Sequence, residues 1–180
     1  MYGRRSILVG TALFALGGAG CTRISEETGI GDGGSGLDAD GRGEIVETYD
    51  EGINHLNDGN EARDEGIIAF NEERYDASVD ALEGSIEYYG DAVDSFRSAE
   101  TLAEEAGVPP AAEICADAAT HADLMGESTD AARDGSAAAR DGEAAGVIND
   151  HIVRSQELQA EADESPVTEA EALLDLLEAE

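Results

Sequence analysis

Residues 76–106, DASVDALEGSIEYYGDAVDSFRSAETLAEEA, determine the fold that we predict for this chain. Apolar residues recur in this stretch at intervals of three and four, which is the spacing of one buried face of an α-helix. The face carries large side chains for about five turns and ends in alanines. We therefore expect a long amphipathic helix from Asp76 to Ala106, with this inner face: Val79, Leu82, Ile86, Tyr89, Val93, Phe96, Ala99 and Ala103.

Helical spacing continues on both sides of this stretch. A first helix is expected from Glu44, interrupted at residues 57–60, where the sequence Asn-Asp-Gly-Asn favours a turn. A third helix is expected from Pro110 to Arg140 because Pro is tolerated in a first helical turn. Its inner face is made of small residues and buries less apolar area per turn. We therefore expect it to pack against large side chains of its neighbours.

A fourth helix is expected after a turn at Asp141 and Gly142, and it should end near Ala162. Its predicted inward residues are Val147, Ile148, Ile152 and Leu158. Thr168 and Glu171 form a capping-box pattern before a short amphipathic C-terminal helix that carries Leu173, Leu174 and Leu177. No strand pattern appears, and short connections favour antiparallel neighbours. The fold class that we predict is therefore an all-α antiparallel helical bundle.

Residues 62–86 resemble one tetratricopeptide repeat, a helix-turn-helix motif with small and large residues at fixed places. Gly66 and Ser78 fall at the small positions, where they let two helices cross closely. Phe70 and Tyr75 fall at the large positions beside the turn. The resemblance implies TPR-like helical hairpins that bind peptides or partner proteins. A plain up-and-down bundle is the alternative arrangement.

The N-terminus has the pattern of an export signal. Arg4 and Arg5 precede an apolar run at residues 7–16, and small residues at 17–20 lead to Cys21. Paired arginines favour the twin-arginine route, and small residues that end in a cysteine resemble a lipobox. We therefore predict a signal peptide at residues 1–20 and lipidation of Cys21, so that the protein is anchored by lipid at the outer face of the cell membrane.

A flexible linker rich in Gly and Asp is predicted at residues 21–43, followed by a helical domain at 44–163 and the C-terminal helix at 164–180. One alternative interpretation concerns residues 36–47. Asp38, Asp40, Gly41, Glu44 and Glu47 fall at positions of an EF-hand-like calcium loop, although Gly36 occupies the first ligand position. A flexible acidic tether is the interpretation that we favour.

The chain is strongly acidic, with a formal net charge of −32 and ten basic residues, all of which are arginine. Such a surface repels nucleic acid and anionic headgroups. An acidic coat keeps a protein soluble in concentrated salt, where charge repulsion is screened within a few ångströms. Together with the N-terminal signal, this composition resembles the exported lipoproteins of salt-loving archaea. The resemblance implies a location and no activity.

No signature of catalysis is present, and we expect neither an enzyme nor a cofactor. The motifs of serine hydrolases, phosphate-binding loops and zinc peptidases are missing from the sequence. His55, His121 and His151 each have a nearby acid but no Glu-x-x-His pattern, so we expect solvent-facing histidines and no metal site. Cys115 lies among alanines and is expected to be a buried apolar residue.

Tyrosines are the candidate partner-binding residues. Tyr75, Tyr88 and Tyr89 cluster around one predicted helix, and aromatic side chains often anchor partners. Packing at the edge of the core is the more common role of such residues. The function that we predict is a membrane-anchored helical interaction or scaffold protein whose partner is unknown. The alternative is an extracytoplasmic protein that binds a ligand or cations.

Overall fold

The computed structural model describes residues 39–179, and every regular element in that range is an α-helix. The five helices are α1 (Ala39–Asn71), α2 (Tyr75–Glu105), α3 (Pro109–Arg140), α4 (Ala145–Ala162) and α5 (Ala170–Ala179). The predicted bounds of α2 and α3 are each correct to within one residue. The predicted turn between α3 and α4 is also correct, since Gly142 adopts a positive φ of 73° there.

Consecutive helices pack against each other, so α1, α2, α3 and α4 form a series of antiparallel neighbours. α1 also touches α3, and α5 lies against both of these helices. The all-α antiparallel bundle predicted from the sequence is therefore confirmed. A single cluster of buried apolar residues joins the five described helices, and α4 contributes its last residue, Ala162, to it.

α1 begins earlier than predicted and has no interruption. It starts at Ala39, so the last residues of the predicted linker are helical, and the acids from Asp40 to Glu47 lie on a helix rather than in a calcium-binding loop. The predicted break at residues 57–60 was wrong. Gly59 and Asn60 remain helical because both contact Tyr89 of α2. The Tyr89 ring packs against Gly59, and the Tyr89 hydroxyl donates a hydrogen bond to Asn60 Oδ1 at 2.8 Å.

Three glycines on α1 receive three large side chains of α2. A Cβ placed on Gly52 would lie 2.6 Å from the Phe96 ring. A Cβ on Gly59 would lie 2.9 Å from the Tyr89 ring, and a Cβ on Gly66 would lie 2.6 Å from Leu82 Cγ. These glycines are seven residues apart, and their three partners are spaced by seven in the opposite direction. The repeat is that of knobs packing into holes along two antiparallel helices. It sets the register of the hairpin.

The contact between α3 and α4 includes small, polar side chains beside larger ones such as Leu158 and Ile152. Ser128 Oγ donates to the Ser155 backbone carbonyl at 2.8 Å, and the two hydroxyls are 3.1 Å apart. The expectation that α3 packs against large side chains of its neighbours therefore holds for α2, and α4 adds the serine pair to its own large residues, Leu158 and Ile152. The prediction that Val147 faces inward was wrong, since 40% of that residue is exposed. Within the described range, α3 is the one helix whose backbone comes close to α4, so the first turns of α4 have no second neighbour to cover them.

α5 covers the apolar ends of α1 and α3. Leu173 and Leu177 are fully buried there and belong to the same cluster as Tyr49 and Cys115. Tyr49 also donates its hydroxyl hydrogen to the Thr168 carbonyl at 2.8 Å, just before α5 begins. α5 is thus attached both by its leucines and by the segment that leads into it.

In the described range, no helix combines the length and the apolar character that crossing a membrane requires. The predicted signal peptide, with Arg4, Arg5 and Cys21, lies outside the described residues.

Candidate interaction groove

An open groove runs along α3 between α2 and α4, and we call it the α3 groove. Its volume is about 540 Å³. Small residues of α3, Ala122 and Gly126, lie in its floor, while Val93 and Gly90 of α2 form part of one wall. Leu158 of α4 lies in the other wall. A volume of this size is typical of clefts that hold ligands or side chains of a partner.

The rim of the α3 groove is acidic along its α3 side. Asp123, Glu127, Asp130 and Asp134 line it from α3, while His151 and Arg154 line it from α4. Their helical spacing puts the four carboxylates on one face of α3. The groove therefore has a negatively charged border on its α3 side and a positive charge, Arg154, on its α4 side.

The four acids are neutralised unequally. Arg133 Nη2 lies 2.8 Å from Asp130 and 2.7 Å from Asp134. In the described part of the chain, Asp123 and Glu127 form no ion pair. The charge of the groove is therefore concentrated at the end that contains Ala122 and Gly126.

The three candidate tyrosines do not form one surface. Tyr89 has no exposed surface and lies beneath the α3 groove, where it is held by Asn60, so it supports the groove from inside. Tyr75 is half-buried and packs on Phe70, with ring centroids 5.7 Å apart. Tyr88 is 41% exposed and lies outside the groove lining. Of the three, Tyr88 alone is exposed in the structure.

A polar cluster lies in the interior below the groove. Arg63 of α1 is 8% exposed and donates from Nη2 to Gln159 Oε1 of α4 at 3.1 Å. Its Nε has no hydrogen-bond partner, and no carboxylate of the described residues pairs with it. Burial raises the pKa of the neighbouring Tyr89 to about 12, although the charge of Arg63 opposes this rise. The hydrogen bond between Arg63 and Gln159 thus links α1 to α4, two helices whose backbones do not come close to each other.

The histidines and the cysteine show no arrangement for catalysis. His121 Nδ1 lies 2.9 Å from the Ala162 carbonyl and 3.1 Å from the Ser165 carbonyl, and it must carry hydrogen to bond to either. His121 therefore holds the end of α4 and is not simply solvent-facing. Burial raises the pKa of the Cys115 thiol to about 12, which keeps it protonated. Across residues 39–179, no three His, Cys, Asp or Glu side chains are grouped for metal binding.

Sequence reasoning missed the α3 groove because none of its residues is unusual alone. A usable signal was the run of acids at positions 123, 127, 130 and 134, which shares one helical face with Ala122 and Gly126. That run shows an acidic face, but it does not show which two helices flank it. The comparisons add no further assignment: no family model, no curated protein and no solved structure matches this chain.

Proposed function

We propose that this protein is a lipid-anchored, extracytoplasmic interaction protein that binds a partner protein in the α3 groove. The proposed location rests on the sequence of Arg4, Arg5 and Cys21. A twin-arginine signal exports proteins that have already folded. The helical domain would thus reach the outer face of the membrane in its packed form.

The observation that carries the binding role is the groove itself. The groove is open between α2 and α4, two helices that do not contact each other, and the half-buried Ile86 and Gly126 are part of its lining. Apolar grooves with polar borders are common docking sites. No described group has the geometry of an activated nucleophile or of a metal centre, so a binding role fits the site better than a catalytic one.

Crosslinking tests the binding role directly. A photoreactive benzophenone side chain introduced at Gly90 would point from the wall of the α3 groove, because a Cβ at this position meets no atom within 4 Å. Irradiation in the native membrane should give one reproducible crosslinked protein. The same group introduced at Glu61 on the exposed face of α1 should not give that product. Identical products from both positions would contradict docking in the groove.

Labelling with radioactive lipid tests the proposed location separately. Label should enter the wild-type chain and should be absent from Cys21→Ser. The variant should also appear in the medium, because it lacks the anchor. A Cys21→Ser protein that stays in the membrane fraction would contradict lipid anchoring without affecting the proposed role of the groove.

A cation-binding role is the second candidate, suggested by the acidic α3 side of the groove, although no three acidic side chains of residues 39–179 are grouped to hold one metal ion. Two of the acids on that side, Asp130 and Asp134, already share Arg133, which reduces the charge that a cation would meet. Calorimetric titration with calcium or zinc in concentrated KCl tests this role. Heat that disappears in Asp123→Asn/Glu127→Gln would support it, and no heat in the wild type would exclude it.

A further inference from the structure

The guanidinium of Arg63 is a buried positive charge that no acid of the described residues neutralises. Arg63 is 8% exposed, and its Nη2 donates to Gln159 Oε1, an uncharged amide oxygen. Its Nε has no hydrogen-bond partner in the described part of the chain. Arg74, Arg133 and Arg140 each lie within 3.0 Å of a carboxylate oxygen, although each is more exposed. The most buried of these four arginines is therefore the one without a counter-charge.

A shortage of acids does not explain this lack. The chain has 42 acidic residues and only seven side-chain amides, five Asn and two Gln, yet two of the amides lie at this cluster. Gln159 accepts from Arg63, and Asn60 accepts from the neighbouring Tyr89. Glutamate differs from glutamine by one heavy atom and would form a charged hydrogen bond with the guanidinium. The chain thus places neutral amides around Arg63, whereas carboxylates predominate in the rest of its sequence.

The other neighbours of Arg63 do not supply the missing negative charge. Burial raises the pKa of Tyr89 to about 12, so its hydroxyl is protonated near neutral pH. Asp64 is exposed on α1 and forms no ion pair with Arg63. Buried charges in proteins are paired, because an unpaired one loses its hydration without compensation. A negative charge that is not a side chain of residues 39–179 is therefore expected beside Arg63.

The position of the guanidinium favours a small ligand. The backbones of α1 and α4 do not come close to each other, so Arg63 crosses a gap that side chains alone fill. Because little of Arg63 is exposed, a large polyatomic anion or the side chain of a partner has little access to it. An anion of a single atom needs the least room and accepts hydrogen bonds from any direction.

We infer that the polar cluster between α1 and α4 binds a small monovalent anion such as chloride, which accepts a hydrogen bond from Arg63 Nε and neutralises the guanidinium. The site is separate from the lining of the α3 groove and goes beyond the proposed function. The net charge of −32 opposes the entry of an anion. Binding should therefore need concentrated salt, where this repulsion is screened within a few ångströms.

Unfolding by urea in mixtures of potassium chloride and potassium fluoride tests the inference. The full-length chain is kept in mild detergent at pH 7, and chloride replaces fluoride at a constant total of about 2 M, which screens the net charge equally throughout. Fluoride is the reference anion because its strong hydration opposes burial. Binding multiplies the ratio of folded to unfolded protein by one plus chloride concentration over Kd, so a Kd of about 0.1 M gives a rise of about 20-fold.

Two variants should remove this chloride response. Gln159→Glu gives the guanidinium a counter-charge within the chain, so the anion is no longer needed. Arg63→Met removes the positive charge, so the stability of this variant relative to the wild type should be highest in fluoride and fall as chloride replaces it. Gln156→Glu makes the same chemical change at an exposed position of α4 and should keep the full response.

The four proteins separate a specific site from a general effect of salt. An equal chloride response in all four would show that chloride acts on the whole surface. No response in the wild type would show that water satisfies Nε and that no anion binds. Either result would overturn the inference, and neither would affect docking in the α3 groove.

Crystals of the full-length chain grown in potassium bromide locate the anion directly. Anomalous scattering should give a bromide peak within hydrogen-bond distance of Arg63 Nε, and this peak should be absent from Gln159→Glu. Bromide found only at exposed arginines would contradict the site.

Discussion

The contact between α1 and α2 differs from the contact between α3 and α4 in the size of the side chains that meet. On the first pair, Phe96, Tyr89 and Leu82 each fill a glycine position of the opposite helix. On the second pair, the buried contact includes two serine hydroxyls. Large apolar side chains bury more area and specify one register, whereas small polar ones contribute less to stability. The α3 groove lies beside the weaker contact, where α4 has one neighbour.

The largest effect is expected from filling the three glycine positions of α1. In Gly52→Ala/Gly59→Ala/Gly66→Ala, each new methyl would overlap a ring or a branched carbon of α2. Overpacking costs roughly 1–3 kcal/mol per site. Replacing a helical glycine by alanine returns about 0.5–1 kcal/mol per site, because alanine has the higher helix propensity. We expect the free energy of unfolding to fall by roughly 3 kcal/mol or more, measured by chemical denaturation.

A matched control separates overlap from helix propensity. Gly43, Gly84 and Gly90 are also helical, and a Cβ on any of them meets no atom within 4 Å. Gly43→Ala/Gly84→Ala/Gly90→Ala should therefore raise the free energy of unfolding by roughly 1–3 kcal/mol. The interlocked packing of α1 and α2 would be refuted if both triple variants shifted stability in the same direction.

Native-state hydrogen exchange should show the same contrast without any substitution. Amides in the first turns of α4, around Val147 and Ile148, are covered by α3 alone and should exchange through local opening. Amides around Leu82 and Tyr89 in the middle of α2 should exchange only on global unfolding. We expect the two opening free energies to differ by about 2 kcal/mol, or roughly 30-fold in exchange rate. Equal protection would mean that α3 and α4 are as tightly joined as α1 and α2.

The sequence predicted the helices well because their apolar residues are periodic and their ends carry clear signals. Gly107, Pro109 and Gly142 stop or start helices through local conformational preferences, which do not depend on the rest of the fold. Ser78 and Gly66 were also expected to lie at a close crossing, and a Cβ on Gly66 would lie 3.3 Å from the Ser78 carbonyl oxygen.

The role of Gly59 could not be predicted because it depends on a partner distant in sequence. A glycine next to Asn and Asp favours a turn when it is considered alone. Only the register of α1 against α2 puts the Tyr89 ring over this position and makes a helical glycine favourable. The α3 groove was missed for a similar reason, since its walls come from helices whose lateral order the periodicity does not specify.

Replacing the buried arginine below the groove should stabilise the protein. Arg63 carries a charge into the interior, leaves Nε without a partner and makes one hydrogen bond to Gln159. Burying an unsatisfied charged group costs more than one hydrogen bond returns. Arg63→Met keeps the length of the side chain, so we expect the free energy of unfolding to rise by about 1 kcal/mol.

An exposed arginine provides the comparison for that substitution. Arg97→Met on α2 also removes one positive charge, but from a solvent-facing position, and should change stability by less than about 0.5 kcal/mol. A clear loss of stability in Arg63→Met would mean that the link between α1 and α4 stabilises the bundle. The attachment of α4 to the bundle would then depend more on the hydrogen bond between Arg63 and Gln159 than on the contact between Ser128 and Ser155.

The last prediction concerns alkaline pH, where the chain has no lysine to titrate. Burial raises the pKa of Tyr89 from 10.0 to about 12, so the folded state retains a proton that the unfolded chain loses first. The stability that Tyr89 contributes is present below pH 10 and declines as pH rises from 10 to 12. Burial raises the pKa of Cys115 from 9.0 to about 12, which adds a decline that begins one pH unit lower.

Two substitutions separate the contributions of Tyr89 and Cys115 from the remaining decline, to which Tyr49 also contributes because burial raises the pKa of its hydroxyl. Tyr89→Phe should flatten the fall in stability between pH 10 and 12, and Cys115→Ala should flatten the part that begins near pH 9. Denaturation curves at fixed pH measure both slopes, and absorbance near 295 nm follows the ionisation of tyrosine. If Tyr89→Phe left the slope unchanged, Tyr89 would titrate in the folded state, and its ring would be less tightly enclosed by Gly59 than the contact distances indicate.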